Sequence, residues 1–86
     1  MKRIQWNNRA RKQMKRIPLN YQKAIFDAVD KLAAFPHVPS LDVIALKKHC
    51  YDYRLRVGRY RVFFDNLETI QVVAVQEVKK RDERTY

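Results

Sequence analysis

The chain has 86 residues, with 19 Lys and Arg against 9 Asp and Glu, a net charge of +10, and 47% apolar residues. That length supports one small core and so one domain, residues 1–86, while the apolar content argues against disorder despite the charge. No apolar run approaches the roughly 18 residues of a membrane span, the N-terminal MKRIQW lacks a signal-peptide core, and Cys50 with two histidines makes no metal set, so a cytoplasmic protein without membrane, metal or cofactor is expected.

Ile4 and Trp6 alternate with polar residues and read as a short strand. Asn7 or Asn8 can cap a following helix, because its side-chain oxygen accepts a free backbone N–H. Ala10, Met14 and Ile17 then form one apolar stripe on a basic helix, which Pro18 ends or kinks. A second helix is predicted from about Asn20 to Ala34, stopped by Pro36, with a loop from Phe35 to Asp42.

The apolar period then changes from helical to strand-like. Val43 and Ala45 suggest a short strand, and Tyr51, Tyr53, Leu55 and Val57 alternate with Asp52, Arg54 and Arg56. Gly58 and Arg59 make a tight turn, since glycine supplies the positive φ that hairpins need. Tyr60, Val62 and Phe64 alternate with Arg61, Phe63 and Asp65, and Asn66 to Glu68 form the next turn. Ile70 to Val78 reads as an apolar strand buried on both faces and central in its sheet. The fold class is therefore α+β, in the order β-α-α-β-β-β-β, with two N-terminal helices packed on an antiparallel sheet.

The charge is concentrated in two places. Residues 1–17 hold seven basic residues and no acid, and residues 47–61 hold six basic residues against Asp52 alone. Such clusters repel themselves unless a polyanion uses them. Strand alternation sends Tyr51, Tyr53, Leu55, Val57, Tyr60, Val62 and Phe64 toward the core and Asp52, Arg54, Arg56 and Arg61 to the other face. Arginines on a rigid sheet suit a phosphate whose charge grows in a transition state. A surface strand that uses charge to block edge pairing is the plain alternative. At the last position, Tyr86 can stack on a base or donate a phenolic proton, or simply fray.

The run CYDYRLRVGRYRVFFD followed by VQEVKKRDERTY resembles the RelE-type toxins of bacterial type II toxin–antitoxin systems, within the RelE/ParE superfamily. The element order matches as well. The resemblance implies a ribosome-dependent endoribonuclease that cuts mRNA without a metal, by attack of a ribose 2′-OH on the adjacent phosphate. It also implies a cognate antitoxin as partner, besides ribosome and mRNA. By position, Arg61 and Arg81 would stabilise phosphate charge, Tyr86 would orient the nucleotide, and Arg54 would keep the charge of a family lysine. Lys47, Lys48, Arg56 and Lys80 would hold RNA. Asp52 falls where the family has another lysine, thought to act in proton transfer; arginine is a poor substitute because it hardly deprotonates. Asp52, Glu77 and His49 are then the candidate acids and bases. Two other readings stand beside this one: a ParE-like toxin acting on DNA gyrase, and a basic nucleic-acid-binding module without catalysis.

Overall fold

Strand β1 (Arg3–Trp6) turns into helix α1 (Asn8–Lys15) at Asn7, whose Oδ1 accepts the amide of Ala10 at 2.8 Å. The structure, a computed structural model, describes residues 1–81. Pro18 has no N–H to continue α1, and its carbonyl instead accepts the amides of Tyr21 and Gln22, starting helix α2 (Leu19–Lys31). The helix tightens into a 3₁₀ turn over Leu32–Ala34 before the proline-containing loop.

Four strands follow: β2 (Asp42–Ala45), β3 (Tyr53–Val57), β4 (Tyr60–Leu67) and β5 (Val72–Lys80). Gly58, at φ +56°, makes the two-residue hairpin turn with Arg59 between β3 and β4. The turn between β4 and β5 lies later than expected. β4 runs through Leu67, a 3₁₀ turn spans Glu68–Ile70, and Gln71 adopts a left-handed conformation before β5 begins.

The sheet has the order β1-β5-β4-β3-β2. β5 is an interior strand, as its apolar run requires. The sheet is mixed rather than antiparallel: β1 pairs parallel with β5, Ile4 opposite Val73 and Trp6 opposite Val75. Alternation within a strand reports which face is buried, not the direction of its neighbour. Parallel neighbours need a long connection, and the rest of the domain provides it.

Beyond the end of β1, α1 takes over the edge of β5. Asn7 donates its amide to the Val75 carbonyl, and Gln13 Oε1 accepts the amide of Val78 at 2.6 Å. A side chain thus satisfies a backbone donor that no strand reaches. The core forms between the helices and one sheet face, from Ala10, Met14, Ile25, Val29 and Leu32 against Leu55, Val62, Phe64, Val73, Val75 and Val78. Lys2 is buried at the periphery, where its Nζ lies 2.6 Å from Glu68 Oε2 and 5.3 Å from the centre of the Phe35 ring. One of the basic residues in the N-terminal cluster is therefore structural.

A β-bulge sets the chemistry of the opposite face. Phe63 pairs with Glu77 but Phe64 pairs with Val75, so Gln76 is the extra residue of β5. Before the bulge, Val73 and Val75 face the core; after it, Val78 does. The one-residue shift moves Glu77 off the core side, where a carboxylate would be costly to bury, and onto the face without helices. Gln76 is held by Asn7 Nδ2 on its Oε1 and by its own bond to Asp65 Oδ2.

Candidate active site

The face away from the helices is organised in cross-strand rows. One row runs Asp42, Arg56, Arg61, Lys79 and the next runs Ile44, Arg54, Phe63, Glu77. Arg61 is directly opposite Arg56 on one side and Lys79 on the other. Like charges in direct cross-strand register are destabilising, so this row is expensive to the fold. Among the described residues no carboxylate forms an ion pair with Arg56 or Arg61.

These residues surround a depression of about 160 Å³ lined by Arg54, Arg56, Gly58, Arg59, Tyr60, Arg61 and Arg81. Five of the seven are arginine and none is acidic. The hairpin brings Arg54 to Arg61 together. Arg81 reaches the depression from the end of β5, its amide donating to the Arg59 carbonyl at 2.7 Å. Arg54 has a long ion pair to Asp42, 3.4 Å from Nη2 to Oδ1, while its buried Nε has no hydrogen-bond partner among the described residues. An unsatisfied buried donor of a charged group is costly, and an anion in the depression would relieve it.

Beside the depression stands a carboxylate. The Glu77 side chain is 15% exposed. Its Oε1 accepts the Tyr51 hydroxyl proton at 3.0 Å, and its Oε2 lies 3.6 Å from Lys79 Nζ. The Tyr51 oxygen in turn accepts Arg9 Nη1 at 2.9 Å. Burial, reinforced by the bond to Glu77, raises the Tyr51 pKa above its ordinary 10.0, so the phenol remains a proton donor. His49 stacks nearly parallel on Phe63, with ring centres 5.5 Å apart and planes 11° off, and Tyr51 packs on Phe63 at 5.6 Å. The Tyr51 amide donates to His49 Nδ1 at 3.1 Å, which leaves the proton of a neutral imidazole on Nε2.

The sequence-predicted residues separate into two groups. Arg54, Arg56, Arg61 and Arg81 meet at the depression, and Glu77 occupies the adjoining row. Asp52 does not join them. It is exposed before β3, its carbonyl accepting the Leu46 amide and its amide donating to Asp65 Oδ1 at 2.8 Å. Lys80 pairs with Tyr60 on the helix-bearing side, and Lys79 takes the place on the arginine face. Lys47 and Lys48 lie exposed in the loop before β3. Glu77 bonds with Tyr51 and Lys79 instead of Arg81. Tyr86 lies outside the described residues.

Tyr51, Arg9, Arg59 and Lys79 were not singled out from sequence. Strand alternation predicts Tyr51 in the core, but β3 begins only at Tyr53, so the alternation does not extend back to it. The residues just ahead fold it onto the other face. Arg9 belongs to the N-terminal basic cluster, and only the packing of α1 along β5 carries it to Tyr51. Arg9 also lines a second depression with Lys12, Gln13 and Arg16, along α1 and its C-terminal cap. Among the described residues no group of three His, Cys, Asp or Glu gathers where it could hold a metal, and no helix is long and apolar enough to cross a membrane.

The sequence model of the family described as the ParE toxin of the type II toxin–antitoxin system parDE matches residues 4–84. No curated protein matches the chain in sequence. Among solved structures, a chain of the archaeal RelE–RelB complex from Pyrococcus horikoshii OT3 superposes with a TM-score of 0.81 at 25% identity, covering 95% of this chain and 97% of that one. The isolated E. coli RelE toxin gives 0.80 at 15% identity, over 99% of this chain and 89% of that one. A chain of the toxin–antitoxin complex RelBE2 from Mycobacterium tuberculosis gives 0.76 at 15% identity, over 93% and 98%. The two-helix, mixed-sheet arrangement is thus the RelE-like fold.

Proposed function

The chain belongs to the ParE toxin family of type II toxin–antitoxin systems, and from that premise we propose that it is a ribosome-dependent endoribonuclease of the RelE type. The observation that carries this reading is the depression lined by Arg54, Arg56, Arg59, Arg61 and Arg81 with the Glu77 carboxylate in the adjoining row. Surface cations evolved only for steering need not converge. These converge in opposition to their mutual repulsion, beside a group able to accept a proton.

The reaction follows from the chemistry of the groups. Glu77 takes the proton of the ribose 2′-OH as its oxygen attacks the adjacent phosphorus. Arg54, Arg61 and Arg81 neutralise the phosphoryl oxygens as negative charge accumulates, and a preorganised charge of this kind is worth most in the transition state. The P–O5′ bond breaks, a 2′,3′-cyclic phosphate forms, and the expelled 5′-oxygen takes up a proton from solvent. Tyr51 and Arg9 hold Glu77 in position, and Tyr86 orients the nucleotide. Lys47, Lys48, Arg56 and Lys79 attract the RNA backbone. The basic face would be covered by a cognate antitoxin, as the toxin–antitoxin complexes of the neighbours suggest. Binding to the folded state alone would also stabilise so small a domain.

A second reading is favoured by one observation: the family model that matches is that of ParE. On that reading the protein inhibits DNA gyrase, and the arginine face binds without cutting. Inducing the protein in bacteria and mapping RNA 5′ ends on translated and untranslated copies of one message separates the two. Cuts confined to the translated copy are expected. Intact messages with blocked replication would replace the nuclease reading with the gyrase one.

A further inference from the structure

We infer that His49, backed by Phe63, is a stacking ledge for one unpaired RNA base next to the phosphate depression. The inference rests on the proposed function only in its choice of RNA as ligand. Phe63 is a large aromatic on the sheet face turned away from the core, yet it is only 8% exposed because His49 and Tyr51 cover it. His49 itself is exposed. It lies flat on Phe63 and is pinned through Nδ1 by the Tyr51 amide, so a planar ring is presented in a fixed orientation at little entropic cost. Phe63 is the direct cross-strand neighbour of Arg54 and sits two residues along β4 from Arg61, on the same face. A flat, exposed ring beside converging arginines is the arrangement by which single strands are held: bases stack on the ring while cations follow the backbone. A protein segment would more naturally use apolar side chains with charged ones of the opposite sign, and an imidazole stacked on phenylalanine supplies neither.

The test uses a six-nucleotide single-stranded RNA, 2′-O-methylated so that it cannot be cut, with an abasic residue placed at each position in turn. Affinity is measured for the purified full chain at several salt concentrations. One position is expected to lose about 5- to 150-fold in the wild type, the span of a single stacked base. His49→Ala should lower affinity for the intact RNA by a similar factor and flatten the abasic profile, leaving the salt slope unchanged. His49→Phe keeps the ring face and loses only the Nδ1 bond that pins it, so it should restore most of both. The inference is overturned if His49→Ala keeps the wild-type profile, if His49→Phe is as weak as His49→Ala, or if His49→Ala weakens only antitoxin binding. Because this RNA cannot be cleaved, the result is independent of catalysis. A position-dependent profile in a protein that never cuts translated mRNA would remove the proposed function alone, and a flat profile in an active nuclease would remove the ledge alone.

Discussion

The Tyr51 hydroxyl donates a 3.0 Å hydrogen bond to Glu77, although the two residues are 26 positions apart and Tyr51 belongs to no strand. The bond fixes one oxygen of a carboxylate that otherwise rotates about its terminal torsion. A hydrogen bond to a charged acceptor contributes about 1.5–3 kcal/mol, enough to decide a rotamer. Tyr51→Phe keeps the ring on Phe63 and removes only this bond. Cleavage on programmed ribosomes is expected to fall about 10-fold, the low end of that range, with RNA affinity changed less than twofold. The Tyr51 phenol is held above its ordinary pKa of 10.0, so it donates throughout the range below that value. The deficit of Tyr51→Phe should therefore be the same at pH 6 and at pH 9, measured by single-turnover rates.

Glu77 and Asp52 make opposite predictions. Glu77 stands one row from Arg61, whereas Asp52 lies in the bend before β3 with its backbone committed to Leu46 and Asp65. Glu77→Gln keeps the shape and the Tyr51 bond but cannot accept the 2′-OH proton. Its cleavage rate should fall by about 100-fold or more, the usual scale of general-base loss. Asp52→Asn should stay within about twofold of wild type, as exposed surface changes usually do.

Arg61 sits between two other cations, Arg56 and Lys79, in one cross-strand row. Arg61→Ala relieves that repulsion, so the variant should melt no lower than wild type in a thermal scan. It should nonetheless lose about 10²- to 10³-fold in cleavage, as when a transition-state donor is removed. Its salt slope of RNA binding should drop by about one, the signature of one lost phosphate contact. Undiminished stability with strongly reduced cleavage is the expected combination.

The ion pair between Lys2 and Glu68 gives the fold a pH dependence. Hydrogen bonding from Lys2 holds the Glu68 carboxyl below its ordinary value of 4.5. A depressed carboxyl contributes stability that is fully present above the unfolded value and is lost as pH falls through the folded one. Glu68→Gln should therefore melt lower than wild type at pH 6, and the gap should close as the pH is taken well below 4.5. Melting temperatures of both proteins across that range provide the check.

Much of the fold was legible because its signals are local. The order of the elements, the Asn7 cap, the Gly58 turn and the opposition of Arg54, Arg56 and Arg61 to Leu55 and Val62 all follow from residues close together in the chain. Each depends on a backbone period, a cap or a positive φ, and a short segment settles those by itself. The division of the charge into two basic clusters was legible in the same way.

What the tertiary structure alone decided are the relationships between distant segments. Arg9 and Tyr51 meet across 42 positions, and Asn7 and Gln76 across 69. The parallel pairing of β1 with β5, the burial of Lys2 and the face on which Tyr51 lands depend on which surfaces pack, and no local period encodes that. The bulge at Gln76 is the sharpest case. By sequence Glu77 is only an acid near the end of an apolar strand, and one unpaired residue beside it turns that acid toward the arginines. The alternation of arginines with apolar residues thus determined that there would be a basic sheet face; only the long-range register decided that a carboxylate would stand on it.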